Sequence, residues 1–423
     1  MLDAKFIRNN PDLVRQAIRN RNYKFDIDTF LKLEQERRTL LAQIEELYAA
    51  QNKIDKEVKT LLAEKKDPQS KIEESKRIKQ KLADIEKQFS EFDAKYKTDI
   101  DRIPNIPHPS VPIGDASHNK IIKESAKLPK FDFKPQEHIV LAEHLNIIDF
   151  KRAAKITGSN FVLFKGEGAR LERALFNFMV DLHAAEGGYT EIFPPKLVNR
   201  ASMRATGQLP NLEEDMYVTK EEDLFLIPTA EVPLTNIYRD EILNEDDLPI
   251  YYVAYTPCFR LEAGSYGKET RGLMRVHEFD KVELVKFVKP SDSYDELDKL
   301  LADACKVLDM LALPYRVAIL STQDMSFAAS KCYDIELYAP GLDRWLEVSS
   351  CSNFEDFQAR RGNIRYKDTK TGKTQYVHTL NGSGVALARL VAAILENYQQ
   401  KDGSVIIPKV LKRYMDGRKK ITK

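Results

Sequence analysis

The first hundred residues carry a hydrophobic repeat that strongly limits how this part of the chain can fold. Positions suited to a helix seam follow one another at alternating spacings of three and four, with one interruption at Asp67-Pro68. A repeat of this kind is typical of a coiled coil, and proline ends a helix. The repeat positions are Phe30, Leu33, Arg37, Leu40, Ile44, Leu47, Gln51, Ile54, Val58, Leu61, Ile78, Leu82, Ile85, Phe89, Phe92 and Tyr96. The sequence therefore predicts two helices, each about 50 Å long, paired as an antiparallel coiled-coil arm.

The tip of this predicted arm is basic. Between residues 53 and 81, ten Lys and Arg residues oppose six Asp and Glu residues, whereas the whole chain has a net charge of only +1. Such a surface suits a nucleic-acid phosphate backbone, but it also suits a solvated coiled-coil exterior or a stalk for dimerisation or a partner protein. The residues of the arm leave these three interpretations open.

A proline-rich stretch follows the arm, with Pro104, Pro107, Pro109 and Pro112 in quick succession. Prolines at this density disfavour helices and central strands and are typical of a semi-rigid spacer. We therefore predict three segments: a helical domain with the arm over residues 1–103, a linker over 104–130 and a body over 131–423.

The body alternates helical segments with short strand-like runs. Helices are predicted over residues 171–185, 294–311 and 385–399, and strands over 161–164, 250–260, 282–288, 333–339 and 345–354. Consecutive strands without an intervening helix favour an antiparallel sheet. The predicted fold class is α+β, an antiparallel β-sheet flanked by helices. The sequence has neither a P-loop motif nor a dinucleotide-binding glycine fingerprint, so any nucleotide site must be of another kind.

Several features bear on where such a chain works. The four cysteines are far apart and form no CxxC pair, which fits a reducing compartment better than a disulfide framework. The chain has no run of eighteen apolar residues and no apolar leader at its start. We expect a soluble, cytoplasmic protein without a membrane partner.

The stretch from residue 256 to 284 reads as a strand, a glycine-rich charged connector and a second strand. On extended chain, residues two or four apart share a face. The residues predicted to share one face within each strand are Arg260, Glu262, Arg275, Phe279 and Glu283. A surface hairpin with paired charges would explain them. A lone hairpin of this kind is usually such a surface element. The alternative is a nucleotide site, with guanidinium groups for phosphate and a ring for base stacking.

Two further clusters carry candidate chemistry. Glu347 lies between apolar neighbours in a predicted strand, where a carboxylate needs a salt bridge or a cation such as magnesium. Its spacing places Ser349 on the same face, and Ser350 would join that face only through a bulge or at a strand end. Near the C-terminus, a predicted Gly/Ser-rich turn holds Ser383 and opens a helix that carries Arg389, an arrangement that favours anions.

Together these segments resemble the three signature motifs of class II aminoacyl-tRNA synthetases. TEIFPP (190–195) resembles the first motif, FRLE (259–262) with RVHEF (275–279) the second, and NGSGVALAR (381–389) the third. TAEVPLTN from Thr229, the segment ETRGLMRVHEFDKVEL, the segment LEVSSCSNFEDFQARR and the N-terminal arm resemble bacterial-type seryl-tRNA synthetases in particular. The resemblance covers essentially the whole chain.

The resemblance implies an activity and a set of site residues. The family forms seryl-adenylate and pyrophosphate from L-serine and ATP, and then transfers serine to the 3′ end of tRNA(Ser) and, where the host has it, tRNA(Sec). Arg260 and Arg389 would be catalytic and clamp phosphates, and Glu347 and Ser350 would hold Mg²⁺. Serine would contact Thr229, Ala230, Glu231, Glu283 and Ser383. ATP would contact Arg260, Leu261, Glu262, Arg275, Val276, Phe279, Glu347, Val348, Ser349 and Ser350.

The resemblance also implies partners. The arm would bind tRNA(Ser), the first motif would form a homodimer, and the connector, with Lys268 and Arg271, would contact the tRNA acceptor end. No zinc is expected, because the sequence matches the common branch of the family and not the branch with cysteine-bound zinc. Two alternatives remain: an amino acid:carrier-protein ligase on the same fold, and a non-catalytic tRNA-binding module.

Overall fold

A computed structural model describes residues 1–125, 127–262 and 271–423. Gly264, Gly267 and Lys268 of the predicted connector lie outside the described residues. The chain divides into two compact units, one of residues Leu2–Pro104 and one of Met1 with Asn105–Lys423.

The first unit is helical, and two long helices form its arm. Its helices are α1 (Ala4–Asn9), α2 (Pro11–Asn20), α3 (Ile27–Ala63) and α4 (Gln69–Ile100). Asp26 caps α3 by accepting hydrogen bonds from the backbone N–H groups of Asp28 and Thr29. The ring of Phe30 stacks on Tyr96 at 5.6 Å, and near the other end of α3 Gln51 donates to Ser75 at 2.7 Å. The two helices therefore run antiparallel, which confirms the predicted coiled coil.

The predicted seam residues form the core of the arm, although two of them are polar. Ile44, Leu82 and Ile85 are buried together in mid-arm. Arg37 keeps its place in the seam because its guanidinium lies 4.5 Å from the Tyr96 ring centroid and 2.6 Å from the Asp93 carboxylate. The long side chain thus packs as an apolar stem while its charge is paired.

The second unit is built on a mixed, mostly antiparallel sheet of eight strands among the described residues. Their order across the sheet is β1-β8-β9-β10-β13-β7-β6-β2, and neighbouring strands are antiparallel except for the β2–β6 pair. These strands are β1 (Lys120–Glu124), β2 (Thr190–Glu191), β6 (Ile250–Phe259), β7 (Glu278–Val288), β8 (Tyr315–Ile319), β9 (Lys331–Ala339), β10 (Arg344–Asn353) and β13 (His378–Ala386). The predicted α+β class is confirmed.

The described part of this unit also contains shorter strands and eight α-helices. The short strands are β3 (Leu197–Asn199), β4 (Leu224–Leu226), β5 (Ile242–Asn244), β11 (Arg365–Lys367), β12 (Thr374–Tyr376), β14 (Val405–Ile406) and β15 (Lys420–Ile421). The helices are α5 (His138–His144), α6 (Phe150–Thr157), α7 (Glu167–Glu186), α8 (Arg200–Thr206), α9 (Glu231–Thr235), α10 (Ser293–Met310), α11 (Phe357–Gly362) and α12 (Leu387–Asn397). Helices α7, α10 and α12 bury one face of the main sheet in the largest apolar cluster.

The structure corrects two predicted elements. Residues 161–164 form no strand but a single bridge between Phe164 and Ile148. Residues 378–386, predicted as a turn into a helix, form the central strand β13, and α12 begins only at Leu387. The glycines that suggested a turn are needed for close packing, since a Cβ on Gly382 would lie 3.0 Å from the Cys351 sulfur.

From Asn105 onward, the proline-rich stretch belongs to the second unit and forms hydrogen bonds within it. The Asn105 side chain donates to the carbonyls of Ala328 and Phe354, both at 2.9 Å.

The described helices include none that is both long and apolar enough to cross a bilayer. The four cysteines are buried free thiols.

Candidate active site

A cavity of about 680 Å³ lies on the face of the main sheet that α7, α10 and α12 leave uncovered. Strand β7 forms its floor. Phe279, Lys281 and Glu283 alternate toward the cavity, while Val282 and Leu284 point into the apolar cluster beneath the helices. This is the two-residue period of a strand with one functional and one core face.

Arg260 and Glu262 lie just past the end of β6 at Phe259, so the alternation predicted for them does not apply. The Arg260 N–H donates to the His277 carbonyl at 2.9 Å, and Glu262 has a left-handed φ of 49°. Both side chains nevertheless line the cavity. Arg275, which precedes β7, also lines it and reaches Glu262 with 2.8 Å between Nη1 and Oε2.

The Arg260 guanidinium is held against the cavity wall. Its Nε donates to the Pro228 carbonyl at 3.3 Å, and the guanidinium carbon lies 5.1 Å from the centroid of the Phe279 ring. A cation above an aromatic face is attracted to the ring and is kept in one orientation. Arg260 therefore presents its remaining N–H groups to the cavity.

A hydrogen-bonded network surrounds Glu283, which is fully buried. The Thr229 hydroxyl donates to Glu283 Oε2 at 2.8 Å, Lys281 forms an ion pair with the same oxygen, and Asn381 donates to Oε1 at 3.2 Å. A carboxylate has about four acceptor positions, and three donors from the described residues occupy three of them. One position is left for a further donor, such as a hydroxyl group in the cavity.

Glu231 lies beside this network at the start of α9. Burial, followed by the negative charge of Glu283, raises the pKa of Glu231 to about 7. The hydrogen bond from Gln358 at 2.6 Å and the charges of Lys281 and Arg260 oppose this rise in pKa. Glu231 therefore changes its charge near neutral pH, and it offers a cation a full negative charge only above that pH.

Strand β10 contains a bulge at Val348, where the pairing with β9 shifts between Glu347 and Ser349. The extra residue changes which side chains share a face. Glu347 pairs with Glu336 and Ser350 with Asp334, so Glu347 and Ser350 lie on the same face. Ser349 lies on the other face and donates to the Ser383 carbonyl at 2.6 Å. The bulge that would bring Ser350 onto the face of Glu347 is therefore present. The prediction that Ser349 shares that face is wrong.

Glu347 is not buried between its apolar neighbours, as the sequence suggested, but has a side chain that is 48% exposed. Its carboxylate lies 3.3 Å from Arg389 Nη1, which also donates to the Glu347 backbone carbonyl at 2.6 Å. The apolar neighbours of Glu347 in the sequence predicted that its side chain is buried. In the structure Glu347 lies at the edge of the cavity, which those neighbours could not indicate. Glu347 forms a partly exposed salt bridge there and stays accessible to a ligand.

The donors on this face of β10 fit a magnesium ion held jointly with phosphates. A carboxylate and a hydroxyl are hard oxygen ligands, and Mg²⁺ usually takes one or two protein ligands and fills its other positions with water and phosphate. Among the described residues, no group of three or more His, Cys, Asp or Glu side chains is placed to form an all-protein metal cage. Glu347 and Ser350 are thus suited to a metal that arrives with a nucleotide.

Fourteen of the sixteen predicted site residues line the cavity. Ala230 and Leu261 do not: Ala230 is fully buried at the start of α9, and the Leu261 N–H donates to the Asp215 carbonyl at 2.9 Å. Arg271 is exposed, and its predicted companion Lys268 lies outside the described residues.

Four residues of the network were missed by sequence reasoning. Lys281 lies two residues from both Phe279 and Glu283, so the alternation used for those two would have found it. Asn381 would have followed in the same way if residues 378–386 had been recognised as a strand. Gln208 and Gln358 donate to the two oxygens of Glu231. Gln208 lies in a segment without a local signal, and Gln358 lies in the segment LEVSSCSNFEDFQARR, whose family resemblance did not point to this residue.

The chain matches known proteins along its whole length. The family model of the tRNA synthetase class II core domain (G, H, P, S and T) matches residues 215–398, and that of the seryl-tRNA synthetase N-terminal domain matches residues 1–107. A serine–tRNA ligase of Thermodesulfovibrio yellowstonii is 54% identical and covers 98% of this chain and 99% of its own. The serine–tRNA ligase of Bacillus subtilis is 52% identical and covers 99% of both chains.

A solved structure agrees with these relatives. The seryl-tRNA synthetase of Pyrococcus horikoshii complexed with ATP superposes with a TM-score of 0.92 at 38% identity, covering 100% of this chain and 99% of that one. The sheet and its cavity define this protein as a class II aminoacyl-tRNA synthetase. With both family models and relatives above 50% identity over nearly the full length, the chain belongs to the seryl-tRNA synthetase family.

Proposed function

We propose that this protein activates L-serine with ATP to seryl-adenylate and pyrophosphate and then transfers serine to tRNA(Ser). The observation that carries the proposal is the buried Glu283 carboxylate, which has one acceptor position left and faces a cavity rimmed by Arg260, Arg275 and Arg389. The carboxylate suits the hydroxyl of a small amino acid, and the guanidinium groups suit phosphates.

In the first step, the serine carboxylate attacks the α-phosphorus of ATP and pyrophosphate leaves. The nucleophile is already ionised, so the protein needs to supply alignment and neutralisation of charge, not a general base. Arg260 is oriented by Pro228 and Phe279. Its role in the proposal is to bind both reacting groups, the serine carboxylate and the α-phosphate. Arg389 serves the remaining phosphates, and Phe279 offers its ring to adenine.

Glu347 and Ser350 are the residues that would hold Mg²⁺, which when bound neutralises phosphate charge. Glu347 must then release Arg389 in part, which the moderate distance of 3.3 Å and the exposure of both side chains allow. Arg389 can then offer its remaining N–H groups to phosphate while keeping its bond to the Glu347 backbone carbonyl.

The serine ammonium group is proposed to bind near Glu231, which fits its position beside Thr229 and Glu283. Because the pKa of Glu231 is about 7, this carboxyl is mostly protonated below pH 7 and ionised above it. Only the ionised form attracts an ammonium group strongly.

We therefore expect the KM for serine in ATP–pyrophosphate exchange to fall as the pH rises through about 7, and to change by up to about tenfold per pH unit below that value. The KM for ATP, measured in the same assays, is the internal control and should show no inflection there. A KM for serine that is flat between about pH 6 and pH 8 would remove Glu231 from the ammonium site.

The arm is proposed to bind tRNA(Ser), with tRNA(Sec) as a second substrate where the host makes it, by recognising shape and phosphate more than sequence. A homodimer is proposed through the first motif, because β2 is an edge strand and the following Phe193 is 80% exposed. The division into segments 1–103, 104–130 and 131–423 and a cytoplasmic location remain predictions of the same proposal.

The direct test is ATP–pyrophosphate exchange with serine, threonine, glycine and alanine, followed by charging of tRNA(Ser). Of these four amino acids, we expect only serine to support exchange at micromolar concentrations of the enzyme. We also expect labelled serine to be transferred to tRNA(Ser). Exchange without charging would favour a carrier-protein ligase, and binding of tRNA without exchange would favour a non-catalytic tRNA-binding module.

A further inference from the structure

Outside the cavity, His138 and Glu396 form a buried hydrogen-bonded pair. His138, the first residue of α5, and Glu396, near the end of α12, are both fully buried. Glu396 Oε1 lies 2.9 Å from His138 Nδ1 and 2.9 Å from the His138 backbone nitrogen. Its Oε2 accepts hydrogen bonds from the backbone N–H groups of Gly341 and Leu342.

The other ring nitrogen of His138 faces the segment that leads into β7. The backbone N–H of Leu273 points at His138 Nε2 with 3.3 Å between the nitrogens. A backbone N–H can only donate, so Nε2 must be the acceptor, and the single ring proton must lie on Nδ1, where it is donated to Glu396. The carboxylate therefore determines which nitrogen of His138 is free to hold Leu273.

Gly272 shows independently that this contact is close. Its φ is +70°, and a Cβ built on it would lie 2.5 Å from His138 Nε2 and 2.6 Å from Ile139. A side chain at position 272 would therefore push the backbone away from the ring. Glycine here lets the chain pass directly over His138 and present the Leu273 N–H to it.

Met274, the residue after Leu273, contacts the active-site residue Arg389. The Met274 carbonyl accepts a hydrogen bond from Arg389 Nε at 3.2 Å, and Arg275 follows in the cavity wall. Arg389 lies seven residues, or two turns, before Glu396 on the same helix α12. Helix α12 thus carries Arg389. Through Glu396 and His138, the same helix also fixes the position of the Met274 carbonyl, which orients Arg389.

From this closed arrangement we infer that His138 is a positioning residue for ATP binding: as an Nδ1–H tautomer set by Glu396, it holds Leu273 and thereby orients Arg389. The inference rests on the proposed function, since ATP is the ligand that Arg389 serves. The serine network of Thr229, Lys281 and Glu283 has no bond to His138 among those described, so the two substrates should respond differently.

The tautomer is tested in the unaltered full-length protein by ¹⁵N spectroscopy of labelled histidine at about pH 8. We expect His138, assigned by its disappearance in a variant, to carry its proton on Nδ1 with Nε2 unprotonated. A proton on Nε2 would overturn the inference whatever the activity of the enzyme, because Leu273 could then not be held.

Two variants separate the bonds of His138. His138→Gln places its amide near the former Nε2 and can still accept from Leu273, whereas His138→Asn reaches only the former Nδ1 and can still donate to Glu396. Loss of one buried hydrogen bond costs about tenfold in affinity. We expect His138→Asn to raise the KM for ATP about tenfold with the KM for serine within about twofold, and His138→Gln to be affected about threefold or less.

A double-mutant cycle with Arg389→Ala identifies the route. If His138 acts through Arg389, His138→Asn should add less than about twofold to the KM for ATP in the Arg389→Ala background. Equal effects of the Asn and Gln variants, equal changes in the KM for ATP and serine, or additive effects with Arg389→Ala would each overturn the inference. An unaltered enzyme without serine-dependent exchange would instead refute the proposed function and leave the tautomer result standing.

Discussion

Replacing Glu283 with alanine is expected to lower kcat/KM for serine in ATP–pyrophosphate exchange by about a thousandfold or more. The variant removes the buried acceptor proposed for the serine hydroxyl. It should also reduce discrimination between serine and alanine from about 10⁴-fold in the unaltered enzyme to less than about tenfold, because alanine no longer leaves a buried carboxylate unpaired. Exchange rates of the variant, measured with serine and with alanine over a range of ATP concentrations, give both its kcat/KM for serine and its discrimination between the two amino acids.

A fall in activity alone would not distinguish lost recognition from lost stability. Glu283→Ala leaves the buried Lys281 ammonium without its ion pair, which costs about 3–5 kcal/mol of stability. The double variant Glu283→Gln with Lys281→Met keeps the volume of both side chains and removes both charges, so it is expected to regain most of the thermal stability. It should nevertheless lose serine selectivity. Normal serine activation by any well-folded variant without this carboxylate would contradict the assignment of Glu283.

The grouping of site residues was predictable to the extent that it depended on local pattern. Phe279 and Glu283 share a face because a strand alternates, and the sequence alone places them together. Strand alternation does not apply to Arg260 and Glu262, because β6 ends at Phe259, one residue before Arg260 and three before Glu262. Strand ends depend on which backbone groups still find a partner in a neighbouring strand, and that information lies elsewhere in the chain.

The remaining features depend on long-range contacts that no local pattern carries. The glycines of residues 378–386 suggested a turn, but their role is to let Leu300, Cys351 and Val282 approach a central strand. His138 and Glu396 are separated by 258 positions, so the pair is visible only once α5 and α12 are packed together. The coiled coil was predicted fully because its seam repeats within single helices.

Removing the outer half of the arm is expected to abolish charging of tRNA(Ser) while ATP–pyrophosphate exchange with serine continues. All residues that line the cavity belong to the Asn105–Lys423 unit, so the deletion leaves the proposed site of adenylate formation intact. The contacts between α3 and α4 guide the design. Deleting residues 47–80 and joining Glu46 to Lys81 through a short glycine-rich turn keeps Ile44, Leu82 and Ile85 packed in the remaining stub. Aminoacylation should then fall by about a thousandfold or more, because the proposed phosphate contacts are lost.

A full-length control separates the charge of the arm from its shape. Residues 53–74 contain six basic and six acidic side chains, so the basic excess of the tip lies entirely on Lys76, Arg77, Lys79 and Lys81, all of which are exposed on α4. Changing these four to glutamine keeps the helices and should weaken tRNA binding about ten- to a hundredfold, while reducing the slope of log K against log salt by about three. If the glutamine variant charges tRNA(Ser) normally and the shortened arm does not, recognition depends on shape. If both charge it normally, the arm does not bind tRNA, and dimerisation or a partner protein becomes its function.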